Sequence, residues 1–308
     1  MHKSATKGLF IFKKILSSKY LPFLTAAVSL ICYFNGLDLV GMYFLAAVGI
    51  AMLIALDDLT PLICQFPFLY LSISRKNSPS YTVGGSDYYF QTAVIVQCAV
   101  LAALFIAAMI YRIVMLGVRR KFKPTPVFFG LCVLSVTFLL NGVAVKDYDP
   151  MNLAYGAVMA FFFLGIFTLL KDNLNINKET FTAIALGFMA VSIVLVTELI
   201  VTYFTTEGVF TENGIDRNKL MYGWGVHNSM GMMLVLCVPS AFYLAGKYRF
   251  GFPLTVWGLV LSVAAVMSMS RQAILGVAVI LPICAIILLV KGKNRIANTL
   301  ILGFALIC

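Results

Sequence analysis

Long apolar runs separated by short polar breaks dominate this chain. They lie near 21–37, 39–56, 61–74, 91–116, 125–145, 153–170, 181–204, 227–246, 252–269 and 272–290. Most reach about 18 residues, the length of helix that crosses a hydrocarbon core of about 30 Å. One more run begins at Ile296 and stops with the chain at Cys308. The pattern predicts an all-α, polytopic transmembrane helix bundle, with about ten full spans and a truncated eleventh, forming a single membrane domain over 1–308. The third run is short and carries Pro61 and Pro67, which predicts a kinked or partly re-entrant segment.

The breaks carry their own information. Residues 1–20 hold five lysines and no acid, with Leu9, Phe10, Phe12, Ile15 and Leu16 on one helical flank. A basic, amphipathic, interfacial helix leading into the first span is expected. A cleaved signal peptide is the competing reading. It is weakened by Ile31, Cys32, Tyr33 and Phe34, which stand where a small-residue cleavage segment would be needed. The two longest breaks between spans are 75–90, rich in Ser, Gly and Tyr, and 205–226, which ends in Gly223-Trp224-Gly225. Loops of that length are more often functional than short connections.

Composition agrees with a membrane location. The chain is 61% hydrophobic and 11% charged, with a mean hydropathy of +0.97. A soluble domain carries about 25% charged residues. The net charge of +11 would suit nucleic acid, but most of the 23 Lys and Arg fall on one alternating set of loops. That is the positive-inside pattern, and it sets the N-terminus in the cytoplasm and loops 75–90 and 205–226 outside. No basic stretch is interleaved with stacking aromatics, so a nucleic-acid partner is not expected. The seven cysteines all lie in apolar runs and read as small core hydrophobes.

Two polar clusters stand at the expected outer ends of spans, Arg217 to Asn228 and Ser268 to Gln272. Polar groups are costly there, so a shared site is the first functional hypothesis. Arg271, flanked by Ser270 and Gln272, is either an interfacial anchor snorkelling to headgroups or a phosphate ligand. Arg217 alone reads as a solvated loop charge paired with Asp216 or Glu212. The residues after it are more suggestive: Tyr222, two glycines, Trp224, then His227-Asn228 at the start of a span. Tyr222 and Trp224 equally suit an interfacial aromatic belt. His227 is a candidate base or a helix-terminal residue bonded to backbone, and Asn228 suits a cap. Glu198 is the one acid well inside a span, and so a functional candidate or half of a buried ion pair. No phosphate-binding glycine loop, HExxH or Cys/His ligand cluster is present, so neither cofactor nor metal is expected.

An Arg–Gly–His/Asn entry to one span, followed two spans later by a Ser-Arg turn, resembles the O-antigen ligase and O-antigen polymerase superfamily. The matching residues are Arg217, Gly223 or Gly225, His227-Asn228, Met230-Gly231 and Ser270-Arg271-Gln272-Ala273. The resemblance covers residues 180–290 by motif and the whole chain by span pattern. It implies a glycosyltransferase of the bacterial plasma membrane, making surface polysaccharide without metal or nucleotide. Its partners would be an undecaprenyl-diphosphate-linked glycan donor, a glycan or lipid acceptor, and membrane lipids. It implies Arg217 and Arg271 as the catalytic pair holding the diphosphate, with Tyr222, His227, Asn228, Ser270 and Gln272 around the substrate. The family's general-base histidine lies in a late outer loop, beyond Cys308 in this numbering, so the chain is expected to be a fragment or a truncated product, with activity depending on that loop.

Two other readings compete. A polytopic transporter or flippase of an anionic or lipid-linked substrate would place charges and broken helices near the midplane, often in paired repeats. Glu198 and the Pro61/Pro67 segment favour it, whereas the strongest polar groups stand at the outer rim and no half-to-half repeat is visible. A purely structural membrane subunit would leave Arg217 and Arg271 facing headgroups separately.

Overall fold

The computed structural model describes residues 10–63, 92–115, 125–143, 164–165, 167, 177–212, 214–216, 219–222 and 225–307. Its helices in chain order are α1 (Phe10–Leu16), α2 (Leu21–Phe34), α3 (Asp38–Ala55), α4 (Thr60–Ile63), α5 (Thr92–Met115), α6 (Pro126–Val143) and α7 (Lys178–Thr205). After the loop come α8 (His227–Lys247), α9 (Phe252–Met267), α10 (Arg271–Lys291) and α11 (Arg295–Ile307). Between α7 and α8 the chain forms two small hairpins, from strands β1 (Phe210–Thr211), β2 (Gly214–Ile215), β3 (Met221–Tyr222) and β4 (Gly225–Val226).

Among the described residues, three helices are long and apolar enough to cross a membrane: α7, α8 and α10. The count rises to four if α1 and α2 are one broken span. The expectation of ten full spans therefore holds here only as a helical, multi-pass bundle. Other helices offer shorter apolar stretches, such as Val40–Ala55 within α3 and Pro126–Leu140 within α6; α2 has 14 residues, about 21 Å at 1.5 Å per residue. Of the sixth predicted span only residues 164–165 and 167 are described, and loop 75–90 and Pro67 lie outside the described residues.

The helix ends are written locally. Asn177 caps α7 by accepting from the backbone N–H of Glu179 at 2.8 Å and of Thr180 at 3.0 Å, and the Thr180 hydroxyl accepts from Asn177 N–H at 3.0 Å. Pro253 opens α9 at a position where a missing N–H costs nothing. Helices α8, α9 and α10 then pack side by side on small residues: Ala241, Ala245, Ala265 and Ala273 are fully buried. Close backbone approach of this kind is how membrane helices gain dispersion energy where lipid offers no hydrophobic drive. Leu195, Leu220, Leu234 and Leu261 complete the main core.

A second, smaller core gathers Leu16, Leu21, Leu53, Leu56, Leu59 and Ala108. Beside it the buried Arg112 donates from Nη1 to the carbonyls of Leu53 (2.9 Å) and Leu56 (2.5 Å), and from Nη2 to that of Asp57 (2.9 Å). The guanidinium thus satisfies the orphan carbonyls at the end of α3, a position that also favours positive charge.

Charges sort by end in the second half of the chain. Lys247 Nζ lies 3.7 Å from Glu179 Oε1, Lys293 N–H donates to Gly246 O at 3.4 Å, and Asn294 Nδ2 donates to Arg249 O at 3.0 Å. These contacts gather Lys178, Lys247, Arg249, Lys291, Lys293 and Arg295 at one end. The opposite end carries Glu207, Glu212, Asp216, Lys219 and Arg271.

Candidate functional site

The end opposite the lysines is where the two polar clusters meet. Helix α9 stops at Met267, and Ser268, Met269 and Ser270 reverse the chain into α10. Met269 adopts φ 56°, left-handed backbone that is unfavourable for a side-chain-bearing residue. Local hydrogen bonds hold it. Ser268 Oγ donates to Ala265 O at 2.6 Å, Met269 N–H donates to Val266 O at 3.0 Å, and Ser270 Oγ accepts from Ala273 N–H at 3.3 Å. Both serines are 0% exposed. Ser270, a candidate substrate ligand by sequence, is spent on capping α10 from within the packed turn.

This turn is pressed onto the first helical turns of α8 at Gly231. A Cβ placed on Gly231 would fall onto the Ser268 hydroxyl, 2.7 Å from Ala273 Cβ and 2.9 Å from Ser270 Cβ. Only a glycine lets the two backbones approach so closely. His227 is four residues before Gly231, one turn up the same face. It is half-buried, whereas Asn228 beside it is exposed. Arg271 and Gln272 open α10 and are exposed. The N-termini of α8 and α10 therefore open side by side at one end of the bundle, with His227 and Arg271 as their first residues.

A further tie comes from α7. The Tyr203 hydroxyl donates to the Met267 carbonyl, at the last residue of α9. The same ring lies 5.9 Å from that of Phe210, centroid to centroid. Sequence reading missed Tyr203, which resembles any belt aromatic near a span end; nothing in its neighbours marks the bond to a turn 64 residues away.

The loop before α8 is folded rather than draped. Val209 and Leu220 are buried in the main core, and Asp216 N–H donates to Val209 O at 2.8 Å. Phe210 pairs with Ile215 and Thr211 with Gly214, whose φ of 108° makes the turn. In the second hairpin Met221 pairs with Val226 and Tyr222 with Gly225, which delivers the chain directly to His227. Tyr222 is thus fixed in backbone register at the mouth of α8. Arg217, Gly223 and Trp224 lie outside the described residues. Glu198 is buried on α7, one turn from Thr202, whose hydroxyl donates to its carbonyl at 2.8 Å. Among the described residues no group of His, Cys, Asp or Glu is arranged to hold a metal ion.

No family model, characterised protein or solved structure matches this chain.

Proposed function

We propose that this protein transfers a glycan from an undecaprenyl-diphosphate carrier at the outer face of a bacterial plasma membrane, in ligation or polymerisation of surface polysaccharide. The observation that carries the reading is the seating of Gly231 against Ser268, Ser270 and Ala273. It joins the two segments on which the motif resemblance rests and sets Arg271 beside the entry to α8.

The chemistry fits such a place. In the transfer, an acceptor oxygen displaces the diphosphate from the anomeric carbon of the donor sugar. Negative charge grows on the leaving diphosphate as that bond breaks. A guanidinium fork matches phosphate oxygens two at a time, and two helix N-termini add partial positive charge. Fixed cations at that point lower the barrier without rearranging during the reaction. In this proposal Arg271 supplies one cation and Arg217 the other, with Tyr222, His227, Asn228 and Gln272 around the sugar–diphosphate. Ser270 acts only by shaping the turn.

Orientation is supported by charge. The end with Lys178, Lys247, Arg249, Lys291, Lys293 and Arg295 is the cytoplasmic one by the positive-inside rule, so Arg271 faces outward. The N-terminus, with its five lysines, is assigned to the cytoplasm by the same rule. A transporter or flippase remains the second reading because Glu198 is buried within α7.

The experiment is to make Arg217→Ala and Arg271→Ala singly in a version of the protein that carries the late outer loop, and to follow consumption of carrier-linked glycan and appearance of product in membranes. Each change is expected to lower the rate by about 100-fold or more, the scale of losing one charge-stabilising donor. Full transfer by both variants would reject the diphosphate clamp.

A further inference from the structure

Helix α1 leaves the bundle at 74° to α2. With seven residues it is about 10 Å long, far too short to cross a bilayer. Leu16 alone of its apolar residues is buried, at 4% exposure, and packs in the smaller core with Leu53 and Leu56. Ile11, Phe12 and Ile15 are all exposed. At 100° per residue these three and Leu16 form one continuous arc of about 140°. Lys13 and Lys14 stand on the other side with the exposed Phe10 between them, and Lys13 Nζ reaches Asp57 Oδ2 at 3.8 Å. Lys19 comes just before α2 begins, and no acid occurs before Leu21 in the sequence.

The protein covers one edge of this arc and leaves the rest open, beside Lys14, Lys19 and a Lys13 paired with the exposed Asp57. A re-entrant position would bury Lys13 and Lys14 in hydrocarbon, which charged side chains avoid. A position in water would expose four large apolar side chains, Phe10, Ile11, Phe12 and Ile15, without cover. The headgroup–acyl boundary satisfies both halves of the helix. We propose that α1 lies flat in an anionic leaflet, with Ile11, Phe12 and Ile15 among the acyl chains, Lys13, Lys14 and Lys19 on lipid phosphates, and Leu16 as the fixed pivot that joins it to the bundle. The occupant of the open arc is then anionic phospholipid, and the contact sets where α2 enters the membrane. This inference does not depend on the proposed transfer reaction.

The test uses the whole chain in nanodiscs with Phe12→Trp, subtracting the signal of the parent protein to remove its two native tryptophans. Lipids brominated near the headgroup or at the chain end act as quenchers, in phosphatidylcholine alone or mixed with phosphatidylglycerol. The shallow quencher is expected to act more strongly, and more so in the anionic mixture. That increment should fade with added salt, since exposed charge contacts are screened. It should also fall roughly fivefold in partitioning for each of Lys13→Gln, Lys14→Gln and Lys19→Gln. Strongest quenching by the deep label would show a re-entrant segment and overturn the proposal. No quenching at either depth, as when a second copy covers the arc, would also overturn it, as would equal quenching with and without phosphatidylglycerol. The salt titration on Phe12→Trp decides the matter even if a lysine variant fails to assemble.

Discussion

Gly231 and Ser268 are in contact so close that no side chain fits between them. Residues 37 positions apart in sequence thereby lock the start of α8 to the turn between α9 and α10. Gly231→Ala is expected to lower stability by about 1–3 kcal/mol, the usual cost of overpacking, and Gly231→Val to cost more. Thermal unfolding in detergent measures this. Unchanged midpoints in both would show that the turn yields freely.

Tyr203 holds the same turn from α7. Tyr203→Phe keeps the ring against Phe210 and removes only the hydroxyl that donates to Met267 O. The expected loss is about 1 kcal/mol, with the carbonyl left short of a donor. Denaturation of the two proteins side by side reads it.

Ser270→Ala deletes the side-chain cap of α10 and is expected to cost about 1 kcal/mol. Ser270→Asp should retain more of the capping chemistry, although the site is fully buried and the charge is penalised there. An order of stability with Ser270 highest, checked by the same unfolding assay, is the prediction.

At the smaller core, Arg112→Met leaves the carbonyls of Leu53, Leu56 and Asp57 without their shared donor. Hydrogen bonds to a charged group are worth about 1.5–3 kcal/mol each, so a large drop in unfolding midpoint is expected. Arg112→Lys should recover only part of it, since an ammonium lacks the planar fork.

Apolar length made much of the second half readable. The runs 181–204, 227–246, 252–269 and 272–290 correspond to α7, α8, α9 and α10 within three residues at each end. Asn177 and Ser270 mark two of those ends in a way sequence can show, because their side chains cap within three residues. The bend between α1 and α2 falls at residues 17–20, where the basic stretch meets the first apolar run. Hairpins β1–β2 and β3–β4 were not, since two-residue strands are too short to show an alternating pattern. Arg112 as a cap, Tyr203 as a tie and Ser270 as a buried residue all depend on which helix packs against which, and that is not written in local pattern. Gly231 is one of many glycines in the sequence, and its reason, the contact with Ser268, is visible only in the fold.

Binding of undecaprenyl diphosphate itself is the sharpest measurement, because this ligand carries the proposed recognition group without any choice of sugar. Titrated into nanodiscs bearing the parent protein, Arg217→Ala or Arg271→Ala, it should bind each variant about tenfold or more weakly than the parent, as loss of a charge-assisted phosphate contact requires. Equal affinity in all three proteins would refute the two-arginine clamp.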